Sequence, residues 1–179
     1  MIRETLRAHF RRGGIIAYPT ESCYGLGCDP FNRRAVRRLI QLKGRPVAKG
    51  LILVADRFSR FHRLVQPLTD SQRRRVFATW PGPVTWVLPA RHRAPWLRGG
   101  RPGLAVRVTA HPPSARLCRE LGTALVSTSA NRSGGRAAKT ARECRGMFGT
   151  RVAVVDGRIG RSKRPSTLID LLSGNILRD

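Results

Sequence analysis

The chain has 179 residues, enough for one domain that buries about two-thirds of its unfolded surface, and its 41% apolar content is that of a globular body rather than a disordered one. Thirty-five basic residues against ten acidic ones give a formal charge of +25, a field that attracts polyanions and points to nucleotide, RNA or both as partners. Four scattered cysteines with no C-x-x-C pair speak against a small disulfide scaffold and fit the reduced thiols of a cytoplasm, and no apolar run approaches the roughly 20 residues a membrane helix needs.

Ile2, Leu6 and Phe10 recur every four residues ahead of Gly13-Gly14, one face of a short helix stopped by glycine. A strand over 15–18 breaks at Pro19-Thr20-Glu21-Ser22 into a polar loop and resumes over 24–28, where two glycines allow a close approach to the backbone. Asn32 caps a helix whose apolar positions Ala35, Val36, Leu39, Ile40 and Leu42 share one side, with arginines on the other, and whose exit is the turn Lys43-Gly44-Arg45-Pro46. The continuous apolar run 51–55 reads as a strand buried on both faces, followed by a basic helical region over 57–79. Trp80-Pro81-Gly82-Pro83 is a rigid turn into a strand over 84–88, and 91–102 is a polar loop expected to be mobile. Further on come a strand over 104–108, a helix from Pro112-Pro113 to Gly122, and a short strand over 124–126. A hydroxyl-rich loop over 127–136 leads to a helix with a Thr140/Glu143 capping box, and strands over 152–155 and 168–172 complete the set. This alternation predicts an α/β fold: one largely parallel or mixed sheet covered by helices, with ligands at strand ends.

Four of the basic residues are lysines and thirty-one are arginines. Arginine-rich codon usage explains that ratio but not the scarcity of acids. In such a chain, Lys43 two residues from Arg45 suits a site that wants a compact ammonium beside a planar guanidinium, as polyphosphate does. Lysine at a helix C-terminus is also an ordinary dipole complement, so the turn alone leaves both readings open. No Walker sequence and no G-x-G-x-x-G after a strand occurs, and the histidines are isolated, so a protein-held catalytic metal is not expected. What remains is a polar strand-end set of Thr20, Lys43, Arg45, Arg107 and the run Ser127-Thr128-Ser129-Ala130-Asn131. Its hydroxyls and amides suit phosphate or sugar oxygens, and its cations suit charge developing in phosphoryl or nucleotidyl transfer. Ser129 and Asn131 could equally serve only a turn. Arg107, inside an apolar strand, needs a buried or cleft-side partner, for which an anion is the simplest choice.

Tyr18-Pro19-Thr20-Glu21, Tyr24-Gly25-Leu26-Gly27, Lys43-Gly44-Arg45-Pro46, Trp80-Pro81-Gly82-Pro83 with Thr85, Ala105-Val106-Arg107-Val108 and the segment 127–131 together resemble the YrdC/TsaC family, in order and spacing over nearly the whole chain. The resemblance implies a single YrdC-like domain over 1–179 with no additional C-terminal domain, a twisted open mixed sheet flanked by helices, and a large basic central cavity. It implies a cytoplasmic nucleotidyltransferase, an L-threonylcarbamoyladenylate synthase. Such an enzyme makes threonylcarbamoyl-AMP and pyrophosphate from L-threonine, bicarbonate and ATP. The downstream transferase machinery then modifies the adenosine beside a tRNA anticodon. By position, Lys43 and Arg45 are the implied catalytic pair and hold ATP phosphates. Ser129 and Asn131 bind the nucleotide and its metal-phosphate region, with Mg²⁺ carried by ATP, while Gly103, Ala137 and Arg178 reach the nucleotide. Arg107 clamps the threonine carboxylate, and Thr20, Ser127 and Ser166 line the threonine pocket. Ser22-Cys23 stands where many relatives have threonine and valine, Val54 where some longer relatives have a threonine-contacting histidine, and Ala137 where some have a hydroxyl. The first two of these differences imply a differently shaped amino-acid pocket.

Two other readings differ in class. A nonenzymatic RNA-binding or ribosome-assembly module would use +25 against the phosphates of tRNA or double-stranded RNA and ignore threonine. A carbamoyl-adenylate enzyme of the hydrogenase-maturation type would carry the same unit inside a much longer chain.

Overall fold

The computed structural model describes residues 4–92 and 94–179. In chain order the elements are α1 (Glu4–Arg11), β1 (Ile16–Pro19), β2 (Tyr24–Gly27), α2 (Arg33–Lys43), β3 (Ile52–Ala55), α3 (Asp70–Phe77), β4 (Val84–Pro89) and β5 (Gly103–Val108). Then follow α4 (Pro112–Leu121), β6 (Leu125–Ser129), α5 (Ala141–Phe148), β7 (Ala153–Val154), β8 (Thr167–Asp170) and β9 (Ile176–Arg178). Local chemistry sets several boundaries. The Asn32 side chain accepts from the Ala35 amide at 3.0 Å to open α2, and Gly44, at φ 60°, closes it in the left-handed conformation. Thr140 and Glu143 form the complete capping box expected of α5. Ile2, the first residue of the repeat assigned to α1, lies outside the described residues, while Leu6 and Phe10 pack inward.

The strands form one sheet in the order β7-β1-β2-β6-β3-β5-β4-β8-β9. It is mixed: β1–β7, β3–β5 and β4–β8 run parallel, and the other neighbours run antiparallel. Successive side chains on a strand point to opposite faces, and the two faces have different fates. Ala17, Tyr24, Leu26, Leu53, Val106 and Val126 join α2, α3 and α5 residues such as Leu39, Val76 and Phe148 in the main core. On the opposite face Ile16, Tyr18 and Leu125 pack against Phe10 of α1 and Leu117 and Cys118 of α4. That second cluster covers only part of its face. The alternate positions of the central strands, Gly25, Ile52, Val54, Arg107, Ser127 and Ser129, line a cavity instead.

Three expectations change. The stretch 57–79 is not one helix but a short 3-10 turn (Phe58–Phe61), an irregular connection and α3, because Pro67 lacks an amide hydrogen and disfavours helix in the residue before it. The polar stretch 91–102 is packed down: Leu97 is fully buried, its carbonyl accepts from Leu51 N at 2.9 Å, and Trp96 Nε1 donates to Pro30 O. The third is β9, which pairs with β8 but was absent from the expected set, since three exposed residues carry too little periodicity to read.

Candidate active site

Strand register builds the site. Gly25 pairs with Ser129, Ile52 with Ser127 and Val54 with Arg107, so adjacent strands β2, β6, β3 and β5 bring these positions together on the uncovered face. The loop after β1 adds Thr20, Glu21, Ser22 and Cys23, the exit of α2 adds Arg45, and the C-terminal segment adds Ser162, Arg164, Ser166 and Arg178. The cavity is partly open to solvent and measures about 210 Å³. A more open groove of about 1080 Å³ lies elsewhere, between α1, α4 and residues 153–157, and holds none of the predicted site residues.

Of those residues, Thr20, Arg45, Arg107, Ser127, Ser129, Ser166 and Arg178 line the cavity. Gly103 and Ala137 do not: Gly103 opens β5 opposite Pro89, and Ala137 lies on the stretch returning from Asn131 to α5. Lys43 and Asn131 stand immediately behind the lining. The Lys43 ammonium is buried and donates to Ser129 O at 2.6 Å, Asn131 O at 2.9 Å and Asn131 Oδ1 at 2.9 Å. An ammonium has three hydrogens and here meets three acceptors. Lys43 is therefore a strut for the 129–131 turn, and its own carbonyl accepts from Ser133 N at 2.8 Å. Ser129 Oγ donates to Asn131 Oδ1 at 2.6 Å and Asn131 Nδ2 donates to Gly135 O at 2.7 Å, which fixes the Asn131 amide. Burial, reinforced by the charge of Arg45, lowers the Lys43 ammonium to about 8.

Arg45 and Arg178, which line the cavity, have no carboxylate partner among the described residues. Arg45 Nε and Nη2 donate to Gly50 O, and Arg178 donates to Ser166 O at 2.8 Å and to Ser166 Oγ at 3.2 Å. Burial lowers the Arg45 pKa, helped by the charges of Arg178 and Arg101, and burial together with Arg107 lowers that of Arg178. Like charges are thus held close enough to feel one another, an arrangement that an incoming anion relieves. Ser166 Oγ also lies 2.7 Å from Thr85 Oγ1 on β4.

Arg107 is charge-matched instead. Arg107 Nη2 donates to Glu21 Oε2 at 3.0 Å, Arg107 Nη1 lies 2.9 Å from Glu21 Oε1, and Thr109 Oγ1 donates to the same Oε1 at 2.5 Å. Burial alone would raise the Glu21 carboxyl, but Arg107 and the Thr109 hydrogen bond outweigh it and hold the carboxyl below its ordinary range. Glu21 and Thr109 were not singled out from the sequence. The signal was there: a buried arginine in a chain with ten acids needs one of them. Ser22, Cys23 and Val54, the positions expected to shape the amino-acid pocket, all line this cavity, and Ala137 does not.

The sequence profile of the Sua5/YciO/YrdC family, described as "Telomere recombination", matches residues 8–179. A protein of Thiobacillus denitrificans named threonylcarbamoyl-AMP synthase is 65% identical over 174 residues, covering 97% of this chain and 93% of that protein. Another of the same name from Methylobacillus flagellatus is 55% identical over 179 residues and 99% of each chain. Among solved structures, P. abyssi Sua5 complexed with L-threonine superposes with a TM-score of 0.85 at 31% identity, covering 95% of this chain and 52% of that one. The chain thus spans about half the length of that protein.

Proposed function

The chain belongs to the Sua5/YciO/YrdC family, and from that membership and the cavity we propose that it is a threonylcarbamoyl-AMP synthase that joins L-threonine, bicarbonate and ATP. The observation that carries this reading is the charge division within one cavity: Arg45 and Arg178 are unmatched and Arg107 is matched. A triphosphate suits the first and a single carboxylate the second.

In this reading Arg45 and Arg178 hold the phosphates, and Ser129 and Asn131 bind the nucleotide, with Lys43 supplying charge from behind the turn it supports. Gly103 and Ala137 reach the nucleotide only through their backbones as it settles. Arg107 takes the threonine carboxylate, and Thr20, Ser127 and Ser166 shape the pocket around the amino acid. Magnesium arrives with ATP: Glu21, the acid lining the cavity, is engaged by Arg107 and Thr109, so the residues present suit a cation carried on the phosphates.

The chemistry proceeds in two balanced steps. The threonine amine condenses with bicarbonate to give the carbamate and water. A carbamate oxygen then attacks the α-phosphorus of ATP, the bond to the bridging oxygen breaks, and pyrophosphate leaves. The threonine ammonium first gives up a proton to solvent so that the neutral amine reacts, and the second step requires no dedicated side-chain base because the carbamate is already anionic. Alignment of two anions in one cationic cavity and stabilisation of charge on the phosphates carry the rate. The product passes to the machinery that modifies the adenosine beside a tRNA anticodon.

The test is incubation of the purified protein with ATP, threonine and bicarbonate, with pyrophosphate and product mass as readouts. Pyrophosphate release that requires both co-substrates, together with the mass of threonylcarbamoyl-AMP, supports the reading. Release indifferent to threonine contradicts it.

A further inference from the structure

Arg107 is 8% exposed and sits in the middle of the sheet, where a guanidinium without a counter-charge is costly. Its partner Glu21 is itself anchored. Thr109 Oγ1 donates to the carboxylate, His111 N donates to Thr109 Oγ1 at 3.0 Å, and His111 Nδ1 lies 2.9 Å from Ser114 Oγ. Ser114 Oγ in turn donates to Pro19 O at 2.9 Å, two residues before Glu21. The chain of bonds therefore ties both flanks of the carboxylate, the end of β1 and the start of α4, to the same frame. A guanidinium carries five N–H donors, of which two face Glu21; Nε is buried without a partner, and the other Nη hydrogens remain for a ligand.

We propose that Glu21 is the positioning residue of the amino-acid subsite: its carboxylate, anchored by Thr109, holds the Arg107 guanidinium in the orientation that receives the carboxylate of the substrate. The physical gain is preorganisation. An unpaired arginine loses rotamer freedom each time it grips a ligand, whereas one already braced by Glu21 has lost it on folding. Glu21 also keeps this subsite near neutral, so it favours a single carboxylate while the polyphosphate is drawn to Arg45 and Arg178. The inference rests on the reading of Arg107 as the carboxylate clamp.

The experiment is steady-state kinetics of Glu21→Gln, Thr109→Val, Arg107→Met and the Glu21→Gln/Arg107→Met double variant, with threonine and ATP each varied. Glu21→Gln is expected to raise the threonine KM on the order of tenfold while kcat and the ATP KM stay within about threefold. Thr109→Val shifts the threonine KM in the same direction by less. In the Arg107→Met background the Glu21 change adds nothing further, because both act through one guanidinium. A threonine KM that Glu21→Gln leaves unchanged or lowers, while Arg107→Met raises it, overturns the inference and makes Glu21 a structural or competing partner. A threonine KM unchanged in Arg107→Met overturns the clamp reading itself. Should Glu21→Gln fail to fold, Thr109→Val carries the same decision.

Discussion

The arginines of the cavity solve the same problem, cations in a partly buried place, in opposite ways. Arg107 is given a carboxylate by its own chain, while Arg45 and Arg178 receive only carbonyl and hydroxyl acceptors; burial lowers the affinity of both for protons, helped at Arg45 by Arg178 and Arg101 and at Arg178 by Arg107. A matched arginine is a geometric device: its charge is already balanced and its direction fixed. Unmatched arginines are an electrostatic device, poised for a ligand with several negative charges. The contrast teaches that charge count alone does not say which cation meets which anion.

The contrast can be broken most forcefully at Arg45. Arg45→Ala is expected to lower adenylate formation by about 10²-fold or more, the scale for removing one preorganised donor to developing charge, with a raised ATP KM and an unaltered threonine KM. Equal effects on both substrates would erase the division between the two kinds of arginine. Lys43→Met should come next. Removing a buried ammonium leaves Asn131 O without its donor, and leaves Ser129 O and Asn131 Oδ1 only the bonds from Asn131 N and Ser129 Oγ, so thermal stability is expected to fall by about 1–3 kcal/mol along with activity. Activity that survives while stability falls would limit Lys43 to a structural strut.

A pH profile sharpens the same point. The ordinary Lys value of 10.5 is lowered to about 8 for Lys43, so kcat/KM is expected to fall as pH rises through about 8 and the ammonium is lost. Between about 8 and 10.5 the unfolded chain binds more protons than the folded one at this group, so its contribution to stability rises with pH even as activity declines. A flat activity profile through pH 9 would remove the charge of Lys43 from the account. The smallest effect is expected of Gly25→Ala: the added methyl would lie 3.0 Å from Thr20 Cγ2, which must shift, so the threonine KM should rise severalfold with the ATP KM unchanged.

Much of this molecule is legible in its sequence. Asn32, Gly44, Thr140 and Glu143 announce their helix ends through side-chain chemistry that acts within a turn, and the alternation of Arg107 within an apolar strand places it on a face that must meet something polar. The mixed sheet was open to inference, but its strand order was not, because pairing Gly25 with Ser129 or Ile52 with Ser127 joins positions 104 and 75 residues apart. The same distance hid Glu21 from Arg107 and Ser166 from Thr85. Lys43 shows the limit from the other side: its type and position were noticed, but only the structure shows all three of its hydrogens directed to the 129–131 turn. Local chemistry is written in short spans, and the site is assembled by register.

The central claim is that one cavity holds two subsites of different electrostatic kind. It is tested most directly by calorimetric titration of a non-hydrolysable ATP analogue into the wild type, Arg45→Ala, and the charge-neutral double variant Arg107→Met/Glu21→Gln. The account predicts that Arg45→Ala weakens nucleotide binding by about tenfold or more, whereas the neutral double variant binds within about twofold of wild type and loses affinity for threonine instead. Equal loss of nucleotide affinity in both variants would contradict it.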